Sequence, residues 1–176
     1  MRKFLMIFCS IFFSLSATAQ QVPFELKGLR IGMPSAEAKA LFPTSMCPPI
    51  GGAMVCSVGT VSFGDATSAR LSYVLLDNNV IDIYISLNET EFNGVVDALK
   101  SKFGMPSREE NSIIQNRMGA KFENVTLSWT NGDISLTAER RNTSVDKSKV
   151  DMFSKSALVE WNRRRKESSS ASANKL

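Results

Sequence analysis

Between Val80 and Leu87 the chain alternates strictly, with Ile81, Ile83, Ile85 and Leu87 set against Asp82, Tyr84 and Ser86. A period of two fits a strand with one buried face and one wetter face, and it does not fit a helix. Leu71 to Leu76 is a second apolar run, and Asp77-Asn78-Asn79 between the two predicts a hairpin turn. A half-buried sheet needs a cover. The next segment supplies one: from Glu89 to Phe103, the residues Phe92, Val95, Val96, Leu99 and Phe103 fall on one helical face, and Gly104 and Pro106 end the run.

The same sequence of signals occurs twice. Gly32-Met33-Pro34 leads into a short helix over Ser35 to Phe42, stopped by Pro43, and Thr60 to Phe63 reads as a strand. After Gly104, Ser112 to Asn116 reads as a short strand, and Lys121–Thr130 and Asp133–Arg141 read as a hairpin around Asn131-Gly132. The spacing predicts two tandem helix-then-sheet units, residues 27–87 and 88–141, forming one antiparallel sheet with the helices packed on one face, an α+β architecture. A C-terminal helix is expected over residues 148–166, with Val150, Phe153, Ala157, Leu158 and Trp161 as its apolar stripe and Ser148 with Asp151 as a capping pair. Residues 167–176 are rich in Ser and Ala and are expected to be a disordered tail. At 176 residues, 43% of them hydrophobic and 22% charged, the chain has enough apolar material for one core, so residues 20–166 are read as a single domain.

The first 19 residues stand apart. Arg2 and Lys3 precede an apolar run from Phe4 to Leu15, and Ala17-Thr18-Ala19 places small residues where a signal peptidase cuts, so export with cleavage before Gln20 is expected. About 12 apolar residues at about 1.5 Å each are too short for a bilayer core of about 30 Å. Cys9 leaves with that segment, and Cys47 and Cys56 remain as an even pair in an oxidising compartment, flanking the turn-rich stretch Pro48 to Val55. A structural disulfide is expected there. A redox pair favours close C-x-x-C spacing, and a zinc site needs four ligands where this chain offers two thiols and no histidine. Periplasm is the expected location, or secretion; Asn88-Glu89-Thr90, Asn124-Val125-Thr126 and Asn142-Thr143-Ser144 would be glycosylation sites in a eukaryotic secretory pathway.

The absence of histidine excludes the Ser-His-Asp and Cys-His arrangements. Glu109-Glu110 is the one adjacent acidic pair, expected in an exposed loop; Asp82 is expected to be an ordinary solvated strand residue, and Gly51-Gly52 has no following Lys-Ser or Lys-Thr to make a phosphate loop. No catalytic residue, metal site or cofactor is assigned. Two candidate surfaces remain. In the second hairpin, Val125, Leu127 and Trp129 face the core with Ile134, Leu136 and Ala138, which leaves Thr126, Ser128, Thr130, Ser135 and Thr137 as a polar face suited to a protein partner. The run Arg163-Arg164-Arg165-Lys166 is the other. It could touch anionic membrane headgroups weakly, although basic residues at a helix C-terminus also complement the helix dipole. Outside that tail, residues 20–162 carry 14 basic and 16 acidic groups, a balance that argues against nucleic acid.

The run Leu29-Arg30-Ile31-Gly32-Met33-Pro34-Ser35-Ala36-Glu37-Ala38 resembles the helix start of small exported bacterial proteins of the BamE and β-lactamase-inhibitor-like class, and Lys102-Phe103-Gly104-Met105-Pro106 resembles their helix exit. Pro34 stands where that pattern has its capping hydroxyl, so the cap must come from Ser35 or be absent. The resemblance implies helix-then-sheet modules that bind other envelope proteins and catalyse nothing. The function expected is therefore a non-catalytic envelope binding protein, an inhibitor or an assembly accessory. A carrier of a small apolar ligand is the alternative.

Overall fold

In the computed structural model, which describes residues 23–173, the hairpin that dominates the sequence is β3 (Ala66–Leu76) and β4 (Asn79–Asn88). Asp77 and Asn78 join them at φ 49° and 63°, the doubly left-handed backbone of a type I′ turn. The signal segment expected over residues 1–19, its cleavage site and Cys9 lie outside the described residues.

Six further strands complete the sheet: β1 (Pro49–Ile50), β2 (Ala53–Phe63), β5 (Arg108–Gln115), β6 (Lys121–Asn131), β7 (Ile134–Glu139) and β8 (Lys147–Ser154). Their order is β1-β2-β3-β4-β8-β7-β6-β5, with every neighbouring pair antiparallel. Together with the helices α1 (Ser35–Leu41), α2 (Phe92–Phe103) and α3 (Lys155–Ala173), this is an α+β fold.

Strand β8 corrects the expected helix over residues 148–166. Val150, Phe153 and Ala157 have helical spacing, but Ser148, Val150, Met152 and Ser154 alternate as buried positions between β4 and β7. Val150 and Met152 are completely buried. The gain from two ladders and a fully buried face outweighs a weak helical stripe. The helix begins at Lys155 and continues through the serines to Ala173, past the end expected for it. Ser154 Oγ accepts the Ala157 N–H at 3.1 Å, which is an N-cap, and Asp133 Oδ1 accepts the Ser156 N–H at 3.1 Å.

Smaller boundaries also move. Strand β2 starts at Ala53, not Thr60, and absorbs Cys56. Strand β5 starts at Arg108, so Glu109 and Glu110 are exposed residues of an edge strand and not of a loop. The second hairpin turns on Gly132-Asp133, one residue later than expected, with Gly132 at φ 59°. Pro34 precedes α1 without any side-chain cap hydrogen bond. Cys47 and Cys56 form the expected disulfide.

Two apolar clusters lie on opposite faces of the sheet, because Tyr73 and Leu75 join one while their β3 neighbours Val74 and Leu76 join the other. The larger contains Ile83, Ile85, Leu127, Trp129, Val150 and Met152 with Ala38 of α1 and Phe92, Val95, Val96 and Leu99 of α2. Burying those four α2 side chains contributes about 6–12 kcal/mol gross, at about 1.5–3 kcal/mol each. The smaller cluster sets Ala157, Leu158 and Trp161 of α3 against Ala53, Val74, Leu76 and Ile81. The helices therefore do not share one face: α3 lies on the side away from α1 and α2.

Ile81 changes sides through a bulge. Val74 pairs with Asp82 and Leu75 with Val80, which leaves Ile81 as the extra residue of β4, turned toward α3 instead of toward Ile83 and Ile85.

Candidate functional site

The face that carries α3 at one corner is otherwise polar, and its side chains stand in register across seven strands. One row runs Arg108, Ser128, Thr137, Asp151, Tyr84, Ser72 and Ser57. The adjacent row runs Glu110, Thr126, Glu139, Lys149, Ser86, Arg70 and Thr60. A third, shorter row contains Thr130, Ser135, Phe153 and Asp82. All five hydroxyl residues expected on this face, Thr126, Ser128, Thr130, Ser135 and Thr137, are brought together on neighbouring strands. Each is half-buried except the exposed Thr130. The residues of α3 that touch the sheet rest on Ala53, Val74, Leu76 and Ile81, none of which belongs to the first two rows.

The middle of this face is charged. Lys149 Nζ lies 3.6 Å from Glu139 Oε2 and 3.9 Å from Asp151 Oδ2, and all three side chains are at most 23% exposed. Asp82 and Asp151 sit on neighbouring strands β4 and β8, each with one buried carboxyl oxygen, Oδ1, that has no hydrogen-bond partner. Burial pushes the Asp82 carboxyl up to about 8, with repulsion from Asp151 acting in the same direction. Burial also raises Asp151, while its hydrogen bond with Asp82 opposes that rise. Burial of the two neighbouring carboxyls therefore favours a proton held between them. The expected solvated Asp82 is corrected, because the bulge and Phe153 withdraw it from water.

Sequence reasoning missed Lys149 and Asp151 because it assigned them to a helix. Glu139 alternates with Leu136 and Ala138 in the expected strand over residues 133–141, and that spacing is the signal that places it on the polar face.

The basic run is engaged within the fold. Arg164 forms a bidentate pair with Asp77 at 2.9 and 2.8 Å and also meets Glu160 at 2.7 Å, which ties α3 to the β3–β4 turn. Arg163 pairs with Glu160 at 2.7 Å and Glu167 at 2.5 Å. Those two guanidinium groups hold the Glu160 carboxyl down at about 2. Arg165 stacks on Trp161 with its guanidinium carbon 5.3 Å from the ring centroid, and a Cβ at Gly51 would collide with its side chain. Lys166 is exposed. Trp161 Nε1 donates to the Ile50 carbonyl at 3.3 Å, and Trp129 Nε1 donates to the Gly104 carbonyl at 2.8 Å, so both indoles have structural partners.

No family model, no curated protein and no solved structure matches the chain. Among the described residues no helix is long and apolar enough to cross a membrane, and no three side chains of the metal-binding types cluster.

Proposed function

We propose that the protein is a non-catalytic exported binding protein of the bacterial envelope, an inhibitor or an assembly accessory, which presents its polar sheet face to a protein partner. The observation that carries this reading is the pair of registered polar rows running from Arg108 to Ser57 and from Glu110 to Thr60. Side chains fixed by the ladder lose little entropy on binding, and a mixture of hydroxyls, both charge signs and Tyr84 suits a specific, moderately wet interface. The order of elements supports two tandem units, the second extended beyond the expected residue 141 to take in β8, since α1 precedes β1–β4, α2 precedes β5–β8, and the last strands of the two sets meet at the centre. The side chains of Phe92, Val95, Val96 and Leu99 fill the space between α2 and the sheet, where the alternative reading would put an apolar ligand. The pairing of Arg163 and Arg164 within the fold favours a structural role for the basic run over membrane contact.

The test is capture from envelope extract with a photo-crosslinker at Ser128, followed by Thr126→Glu, Ser128→Glu and Thr137→Glu variants. Loss of one discrete crosslinked partner with an unchanged melting temperature is expected. Retention of that partner by the triple variant, with loss on deleting residues 163–176, would move the function to the basic run.

A further inference from the structure

The half of the polar face farthest from the hydroxyl-rich hairpin contains a cavity of about 470 Å³, within the usual range of small-molecule sites. Its lining includes Arg70, Lys147 and the hydroxyls of Thr60, Ser68, Ser86 and Thr143. The ladder places Arg70 of β3 directly between Thr60 of β2 and Ser86 of β4. Lys147 of β8 stands opposite Asn88 and donates to its Oδ1 at 2.8 Å, a neutral acceptor, while its charge also acts on the neighbouring Asp146 carboxylate, which accepts from Ser144 Oγ at 2.5 Å and does not line the cavity. Arg70 has no ion-pair or hydrogen-bond partner among the described residues, and no acidic residue lines the cavity. The nearest acid along the Arg70 row, Glu139, is three strands away, about 14 Å at the usual strand spacing. That acid is already engaged by Lys149 at 3.6 Å and by the Asn142 amide at 2.8 Å. The loop that brings Thr143 is itself held, since Asn142 N donates to the Lys147 carbonyl at 2.9 Å and Lys147 N to the Ser144 carbonyl at 3.2 Å.

An unpaired guanidinium and an ammonium group among four hydroxyls attract an anion with several oxygens. The donors approach from five separate segments, β2, β3, β4, β8 and the β7–β8 loop. A tetrahedral ion can use that arrangement, whereas a planar carboxylate offers two oxygens in one plane. The one apolar lining residue, Leu87, is buried in the core of the opposite face, so burial of apolar surface contributes little to binding here. We propose that this cavity, bounded by β2, β3, β4, β8 and the β7–β8 loop, binds a phosphate or sulfate group, either as the free ion or as the monoester of a small polyol. The proposal does not depend on the protein-binding role of the hairpin face.

The test is titration of the isotope-labelled protein with inorganic phosphate, glucose 6-phosphate, acetate and glucose, followed by amide NMR shifts. Saturable shifts at Arg70, Ser86 and Lys147 are expected with the two phosphates, weakening as sodium chloride rises, with acetate bound at least about tenfold more weakly and glucose without effect. Tighter binding of glucose 6-phosphate than of phosphate assigns the monoester, and equal binding assigns the free ion. Arg70→Gln and Lys147→Gln should each weaken binding about tenfold or more at an unchanged melting temperature, while Arg108→Gln at the far edge should not. The absence of saturable shifts, an equal response to acetate, or binding unaffected by both Arg70→Gln and Lys147→Gln would overturn the proposal.

Discussion

Replacing Asp82 with Asn should make the protein more stable at mildly alkaline pH and flatten its stability profile. The Asp82 carboxyl is raised from 3.8 to about 8 by burial and by Asp151, so between those values the folded protein holds one proton that the unfolded chain has lost. The sign follows from linkage. A raised carboxyl contributes stability that is fully present below the unfolded value and is lost as pH climbs through the folded value. In that window the slope is about −1.4 kcal/mol per pH unit, so wild-type stability should fall by roughly 3–4 kcal/mol between about pH 5 and pH 8. Asp151 is raised as well, which adds to the fall, while its neighbour Lys149 opposes it. Asn at position 82 can still donate to Asp151 and carries no charge to bury. Urea unfolding at about pH 5, 6.5 and 8 at fixed ionic strength would measure both profiles. A wild-type stability independent of pH, or an equal slope in the variant, would refute the shared-proton account.

Leu99→Ala should cost about 2–5 kcal/mol, since Leu99 is 3% exposed in the cluster between α2 and the sheet, and a cost below about 0.5 kcal/mol in chemical denaturation would mean that the helix is not packed there. Replacing Cys47 and Cys56 together with Ser should remove about 2–3 kcal/mol, the loop-closure contribution of so short a bridge. Intact mass of protein from the periplasm should show a chain beginning at Gln20, within a residue or two, that takes up no alkylating agent before reduction; a species retaining Met1 or two free thiols would defeat this.

The parts of the fold that could be read from the sequence were those in which one period had no rival. Ile83, Ile85 and Leu87 alternate beside a turn, and Phe92, Val95, Val96 and Leu99 recur at helical spacing, so β4 and α2 could be placed to within a few residues, whereas β3 begins at Ala66, five residues before the expected Leu71. Residues 147–154 fit both periods, and only the pairing with β7 on one side and with β4, remote in sequence, on the other decides for a strand. Ile81 shows a second limit. Its alternation with Ile83 is perfect on paper, but register is a property of two strands, and the bulge opposite Val74 and Leu75 breaks it. On the polar face, the five hydroxyls were visible because a single hairpin supplies them. The groups around Lys149 and Arg70 come together only through pairings between β8, β4 and β3, which local spacing does not record.

The same bulge also explains what the Gly32-Met33-Pro34 segment does. Gly32 N donates to the Val80 carbonyl at 2.8 Å, Val80 N to the Met33 carbonyl at 2.9 Å, and Ser35 N to the Asn78 carbonyl at 2.7 Å. Pro34 faces Asn79 as an isolated bridge, and Gly32 takes φ 81°, a backbone that side chains resist. The segment that most resembles a family motif is therefore a backbone clamp on the β3–β4 turn and the start of β4, with α1 following it without a side-chain cap. Because Val80 is held from this side while Ile81 is drawn to Ala157, Leu158 and Trp161 on the other, the extra residue of the bulge has a fixed place to go. Asp82 then falls beside Asp151 at the edge of the polar rows. An apparently generic helix-start motif thus helps set the charge of a face on the opposite side of the sheet, through hydrogen bonds and register alone.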